Sequence, residues 1–453
     1  MMSHKLSWPK LLSRHRPQPS KTRRASYVPS EDDRSSFERD YDRVIFSAPF
    51  RRLAGKTQVH PMARNAKIHT RLTHSIEVAS IGRGFTKKLS NLLRERSDLE
   101  ADGEATLPWV IQSACLIHDL GNPPFGHAGE EVIRAWVEKQ EEEMFRPDRF
   151  ASAEEYEGSK ADWLNFEGNA QGFRLASRKD NADAGYLNLT HATLSAAIKY
   201  PWVSTDARAS EKRKLNVYSS EAGIFLDMAE DLGLLMEDGQ VSRHPLSFIT
   251  EAADDICYRI IDLEDAVEMG IQDSGRVKEL LLGISGKYGR KDMNLPQLRG
   301  YAIKELMDQF FQVFEDDFDS IMNGERIDDL KSSLGSETTG QLDTIKQIYG
   351  EIFGASKKVS MELGAYHILG RILKALMKTV HAIHDSESYA KMPFLSQRCA
   401  ELVWGRGYAQ KHFGQSHAWW LARMNDSVSG LTDDAAMTLS NEIAGHSFSS
   451  HSY

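Results

Sequence analysis

Through most of the chain, apolar side chains recur at three- and four-residue steps rather than in alternation. In THSIEVASIGRGFTKKLSNLLRERS (73–97), Ile76, Val78, Ile81, Phe85, Leu89 and Leu92 keep that step and predict a long helix. PWVIQSACLIHDL (108–120) predicts a second, stopped by Gly121 and then Asn122-Pro123-Pro124. A third is expected over about 126–144. Residues 147–163 are polar and charged and read as a surface insertion. Helical patterns resume near 166–177, 188–199, 219–235, 246–270, 297–322, 340–382 and 394–404. Strand signals are few: a brief hairpin near Gly55–Pro61 and weak alternation over Lys214–Ser219. The pattern predicts an all-α fold.

Composition narrows the class. With 453 residues the chain can bury at least one large core, and its 56 Lys+Arg against 65 Asp+Glu exclude a uniformly basic nucleic-acid coat. Its three cysteines, Cys115, Cys257 and Cys399, form no CxxC pair, which excludes a disulfide scaffold or thiolate zinc finger. A reducing, cytoplasmic location is expected. No run of ~18 apolar residues is present, so no membrane span is expected. Residues 1–24 carry Lys5, Lys10, Arg14, Arg16, Lys21, Arg23 and Arg24 and no acid. They lack the apolar stretch of a secretory signal, and Pro9, Pro17 and Pro19 count against an amphipathic transit helix. A basic, flexible arm over 1–27 is expected, solvated, packed on a neighbouring subunit or touching nucleic acid.

The chemistry-bearing residues gather in four places. His74, the His118-Asp119 pair and Asp254 offer imidazole nitrogen and carboxylate oxygen, donors suited to a divalent transition metal or Mn²⁺. Adjacent side chains diverge by ~100° on a helix, so His118 and Asp119 can share one ion only beside their helix end. A satisfied core histidine is the plainer reading of either ring alone. Asp254, Tyr258 and Asp262 recur every fourth residue in a helix whose other faces carry Ile256, Ile260, Ile261 and Leu263. Carboxylates buried there need a metal, a cation or good donors; a solvated acidic face is the alternative. In NPPFGHAGE (122–130) the prolines stiffen the turn. Three residues apart, His127 and Glu130 suit an acid or base oriented by a carboxylate, against an incidental histidine at a helix start. Arg71, Lys199 and Lys214 supply cations for an anionic, most simply phosphate-bearing, substrate; each alone reads as a surface charge.

Taken together, FRRLAGKTQVHP (50–61), RLTHSIEVASIGR (71–83), ACLIHDLGNPPFGHAGE (114–130), NFEGNAQGFRL (165–175), IKYPW (198–202) and EAADDICYRIIDLEDA (251–266) resemble the HD-domain deoxynucleoside triphosphate triphosphohydrolases, the dGTPase-like family. The resemblance implies an all-α HD fold with additional C-terminal helices and a divalent metal, Mn²⁺ or Mg²⁺ foremost among candidate ions. It implies hydrolysis of a dNTP, dGTP among them, to the deoxynucleoside and inorganic tripolyphosphate. It implies His74, His118, Asp119 and Asp254 as metal ligands and His127 and Glu130 as the catalytic pair. Gln58 and Val59 would line the sugar, Tyr258 and Asp262 would contact the deoxyribose, and Arg71, Lys199 and Lys214 would meet phosphate. A C-terminal arginine is also implied, with Arg371, Arg398 and Arg406 as candidates.

The expected organisation is an arm at 1–27, an HD core at 28–280 and a C-terminal helical region at 281–453 that completes the site and the subunit contacts. A homo-oligomer, tetramer or hexamer, follows from the resemblance and from the apolar richness of MELGAYHILGRILKALMKTVH. Single-stranded DNA or a dNTP effector are further partners this reading allows, and no membrane is expected. Two rival functions stand beside it. One is another HD phosphohydrolase acting on a nucleoside monophosphate, an alarmone or a cyclic dinucleotide. The other is a nucleic-acid-binding regulatory protein that keeps the site as a sensor.

Overall fold

The computed structural model describes residues 5–17, 34–56, 69–96, 98–99, 103–178, 187–268, 270–352 and 355–446. Among them are twenty-one α-helices and the isolated β-bridges Val203–Val217 and Leu235–Val241. The fold is all-α. No described helix is long and apolar enough to cross a membrane.

Two hydrophobic cores organise the molecule. The first packs α1 (Arg71–Glu95) against α2 (Gly103–Ile117) and α4 (Pro245–Glu268), joined by helices Leu295–Asp316 and Ser336–Ile352. The second packs α3 (Gly126–Met144) against α5 (Ala355–Asp385), α6 (His417–Ser429) and helix Asp433–Ile443. Ile117 and Leu120 belong to the first core and Phe125 to the second, so the chain crosses between the two over residues 118–126.

Local chemistry explains the element starts. Thr70 caps α1 reciprocally with Thr73, and α1 buries Val78, Ile81, Phe85, Leu89 and Leu92. Ile76, expected on that face, is exposed instead. The second helix begins at Gly103, before the proline that suggested its start, and carries Pro108 inside it, where one backbone hydrogen bond is lost.

Three expectations are corrected. Residues 147–163 are not a simple surface insertion, because Ala153–Leu164 is a helix that buries Asp162 and Trp163. Residues 5–17 of the expected flexible arm lie on the chain's own body. Leu6, Trp8 and Leu11 are buried in the first core, Arg16 meets Asp40 at 2.6 Å, and His15 meets Asp231 at 2.6 Å. Burial of three apolar side chains outweighs the solvation that a basic composition favours. The apolar richness of 360–380 is spent inside the chain: Ala365, Leu369, Ile372, Leu373, Leu376, Met377 and Val380 fill the second core, leaving Leu363 exposed. The hairpin expected near Gly55–Pro61 lies largely outside the described residues.

Candidate metal and acid–base site

The turn that links the two cores carries the site. His118 and Asp119 follow the last residue of α2, at the helix end where neighbouring side chains can converge. His74 sits one turn into α1, on the face of Arg71. The potential ligand atoms of His74, His118 and Asp119 lie within 4.8 Å of one another, and all three residues are buried. Asp254, in the middle of α4, closes the group: its Oδ1 is 3.1 Å from His74 Nε2 and 3.4 Å from His118 Nε2. The two rings stand 5.3 Å apart at 63°.

Neighbouring groups fix these donors. His118 Nδ1–H donates to the Cys115 carbonyl at 2.6 Å, which directs the Nε2 lone pair toward the carboxylates. Asn122 Nδ2 donates to Asp119 Oδ1, and Arg71 Nη1 reaches Asp119 Oδ2 at 2.7 Å. Lys199 Nζ reaches Asp254 Oδ2 at 2.7 Å. Burial alone would raise both carboxyl pKa values. Arg71 and His118 outweigh it at Asp119, and Lys199 and His118 outweigh it at Asp254, so both are held below the usual range and stay ionised. Two neutral-capable imidazoles and two carboxylates around one point fit a divalent cation, with hard oxygen donors tilting the set toward Mn²⁺ or Mg²⁺.

Beyond the turn, His127 Nδ1 lies 2.9 Å from Glu130 Oε2. Glu130 is 3% exposed and accepts the Gly168 N–H on its other oxygen at 2.8 Å, while His127 is 80% exposed. Burial raises the Glu130 carboxyl, but the His127 bond, the nearby Lys214 charge and the Gly168 N–H outweigh it and bring it down to about 2. Ionised Glu130 can only accept, so it accepts a hydrogen bond from His127 Nδ1–H, and His127 Nε2 is left on the exposed side of the ring.

The backbone here is tightly specified. Phe125 and Gly126 both adopt left-handed conformations, with φ of 65° and 58°. A side chain on Gly126 would meet Arg71 Nη2 at 2.8 Å, and one on Gly121 would strike the Gly172 amide nitrogen at 2.1 Å. Phe125 N–H donates to Asp433 Oδ1 at 2.9 Å, which helps hold a conformation disfavoured for a non-glycine residue. Lys56, buried, donates to the carbonyls of Asn122 and, at 2.7 Å, Ser429. Burial, with Arg52 and Arg71 nearby, lowers its ammonium to about 7.

Of the other expected residues, Lys214 pairs with Glu167 at 2.7 Å and lies close enough to Glu130 to influence it. Tyr258 is partly exposed, one turn along α4 from Asp254. The backbone of Asp262 follows one turn later, but its side chain is outside the described set, as are Gln58 and Val59. Arg371 bonds the Ser440 carbonyl, and Arg398 pairs with Glu401, both far along the chain from the turn. Sequence reading took Asn122 only as part of the turn and missed Lys56, Asp433 and a His69 clamp, in which Nδ1 meets Asp265 at 2.6 Å and Nε2 meets Glu77 at 3.2 Å. Lys56 lies inside the 50–61 motif, which was the available signal; Asp433 carried none.

The comparisons with known proteins define the class first. Residues 71–163 match the HD domain family, so the chain carries an HD domain. Over nearly full length the chain is 36% identical to a deoxyguanosinetriphosphate triphosphohydrolase-like protein of Pseudomonas aeruginosa (strain LESB58), covering 98% of this chain and 99% of that one. Proteins of the same description from Synechocystis sp. (strain ATCC 27184 / PCC 6803 / Kazusa) and Listeria monocytogenes serovar 1/2a are 32% and 30% identical over 97% of this chain, covering 99% and 100% of theirs. The chain belongs to the deoxyguanosinetriphosphate triphosphohydrolase-like family.

Proposed function

We propose that the protein hydrolyses deoxynucleoside triphosphates, dGTP among them, to the deoxynucleoside and inorganic tripolyphosphate. The observation that carries this reading is the His127–Glu130 pair, at the start of the helix that follows the turn carrying His118 and Asp119. The names of the full-length relatives support the substrate class.

In this reading His74, His118, Asp119 and Asp254 hold a divalent ion, which supplies Lewis-acid polarisation of the α-phosphate. Water adds to the α-phosphorus, the bond from phosphorus to the 5′-oxygen breaks, and that oxygen leaves with a proton. His127 Nε2 takes the proton of the incoming water and returns it to the departing oxygen, while ionised Glu130 steadies the imidazolium. Arg71, Lys199 and Lys214 offset charge on the triphosphate; Arg71 and Lys199 do so by turning from Asp119 and Asp254. Asp262 accepts from the 3′-hydroxyl, and Tyr258 with Gln58-Val59 closes the space beside C2′.

The test is incubation with each dNTP and each NTP, with Mn²⁺ or Mg²⁺, singly and mixed, and resolution of the products. Tripolyphosphate from dNTPs is expected, with ribonucleotides slower by roughly 10³-fold. Trimming Tyr258 to Ala should narrow that gap. Orthophosphate or pyrophosphate as the product, or equal turnover of GTP and dGTP, would refute the reading.

A further inference from the structure

Away from the ligand turn, three more imidazoles meet in the second core. His381 and His384 lie one turn apart at the end of α5, and His417 begins α6. His384 and His417 have ring centroids 5.3 Å apart at 65°, and His381 and His417 are 5.6 Å apart at 33°. The molecule supplies its own standard for such a pair: His74 and His118 stand 5.3 Å apart at 63°. Two imidazoles bound tetrahedrally to one ion through bonds of about 2.0–2.1 Å place their centroids roughly 5–5.5 Å apart.

The hydrogen-bond accounting points the same way. His417 is 2% exposed, and neither of its ring nitrogens has a hydrogen-bond partner of normal geometry; His381 Nε2 is likewise buried and unmet. The Met144 carbonyl lies beside both rings. An imidazole always carries polar function on both nitrogens, so a core that meets neither is short of a partner. Phe150 packs edge-on against His417 at 5.2 Å, while His384 is exposed and opens a route inward. Two cations lie beside the group: Arg149, paired with Asp385 at 2.9 Å, and Arg146, paired with Asp148 at 2.8 Å.

We propose that His381, His384 and His417 form a second metal site, for a borderline transition cation such as Zn²⁺ or Ni²⁺. The all-nitrogen donor set separates it from the carboxylate-bearing first site. Among the described residues only the first site has its ligand atoms all within 4.8 Å, so binding the ion requires the rings of the triad to turn toward one point. Its role is structural. The ion staples α5 to α6, and α6 carries the Ser429 carbonyl that holds Lys56.

The test uses the full chain with His118→Ala, which weakens the first site, compared with the same chain carrying His384→Ala or His417→Gln as well. After equilibration with Zn²⁺ and gel filtration, elemental analysis should find about one more zinc per chain when the triad is intact. Zn²⁺ should raise the melting temperature by several degrees only in that protein. His384 is exposed, so His384→Ala keeps the test usable even where His417→Gln fails to fold. Equal zinc content with and without His384 would overturn the proposal. So would a triad-dependent rise in melting temperature with inorganic phosphate but none with Zn²⁺, which would assign the site to an anion at Arg149.

Discussion

His118 and His127 stand at opposite ends of one turn and live under opposite conditions. The His118 side chain is 5% exposed, with Nδ1 spent on a carbonyl and Nε2 among carboxylates. The His127 side chain is 80% exposed, with Nδ1 held by buried Glu130 and Nε2 in solvent. A nitrogen enclosed by fixed anions suits a cation that stays; a nitrogen anchored from behind and open in front suits a proton that comes and goes. Burial, more than residue type, separates the two jobs.

The comparison breaks most sharply at His118. His118→Ala should lose bound metal and turnover together, by more than about 10⁴-fold in rate. His127→Ala should lose roughly 10²- to 10⁴-fold in turnover while elemental analysis finds the metal still in place. A folded His127→Ala protein without metal would exchange the two assignments. Glu130→Gln should cost less, about 10- to 10²-fold, and the double variant should fall short of the product of the singles, since both act through one ring. Thermal melting of each variant separates these effects from misfolding.

Lys56 tests how far the turn depends on its support. Lys56→Met leaves the Asn122 and Ser429 carbonyls without their shared donor and should destabilise the protein by about 2 kcal/mol, read by denaturant unfolding. The smallest effect concerns His69. Its hydrogen bond to Asp265, then that to Glu77, raise its pKa to about 10. Because the folded value lies above the unfolded one, this contribution is complete below pH ~6.5 and is lost as pH rises toward 10. Solvent screening limits it to about 1 kcal/mol. Asp265→Asn should flatten the stability curve across that window; an unchanged slope would show that the clamp does not titrate.

The helices were legible wherever one face is buried, whereas His74, His118, Asp119 and Asp254 were drawn together as a set by the resemblance of their motifs, since each alone also reads as an ordinary core or surface residue. What the sequence hid is partnership at a distance. Lys56 and Ser429 are 373 residues apart, and Phe125 and Asp433 are 308 apart, with no local pattern linking either pair. Charge misled twice. The basic start of the chain conceals Leu6, Trp8 and Leu11, and the polar stretch after Phe150 conceals Trp163, because a few buried side chains decide placement while many solvated ones set the composition.

The Asp433 carboxylate on the Phe125 amide has a consequence for how the protein is made. Ribosomes deliver the chain from its N-terminus, so α1, α2 and α3 emerge long before residue 433 does. Until that aspartate and Ser429 arrive, the left-handed step at Phe125 lacks an anchor and Lys56 lacks one of its acceptors. A nascent chain should therefore bring His74, His118 and Asp119 together early yet stay catalytically silent. Activity should switch on only as the last helices clear the exit tunnel, which spares the cell a half-made hydrolase working on its nucleotide pool.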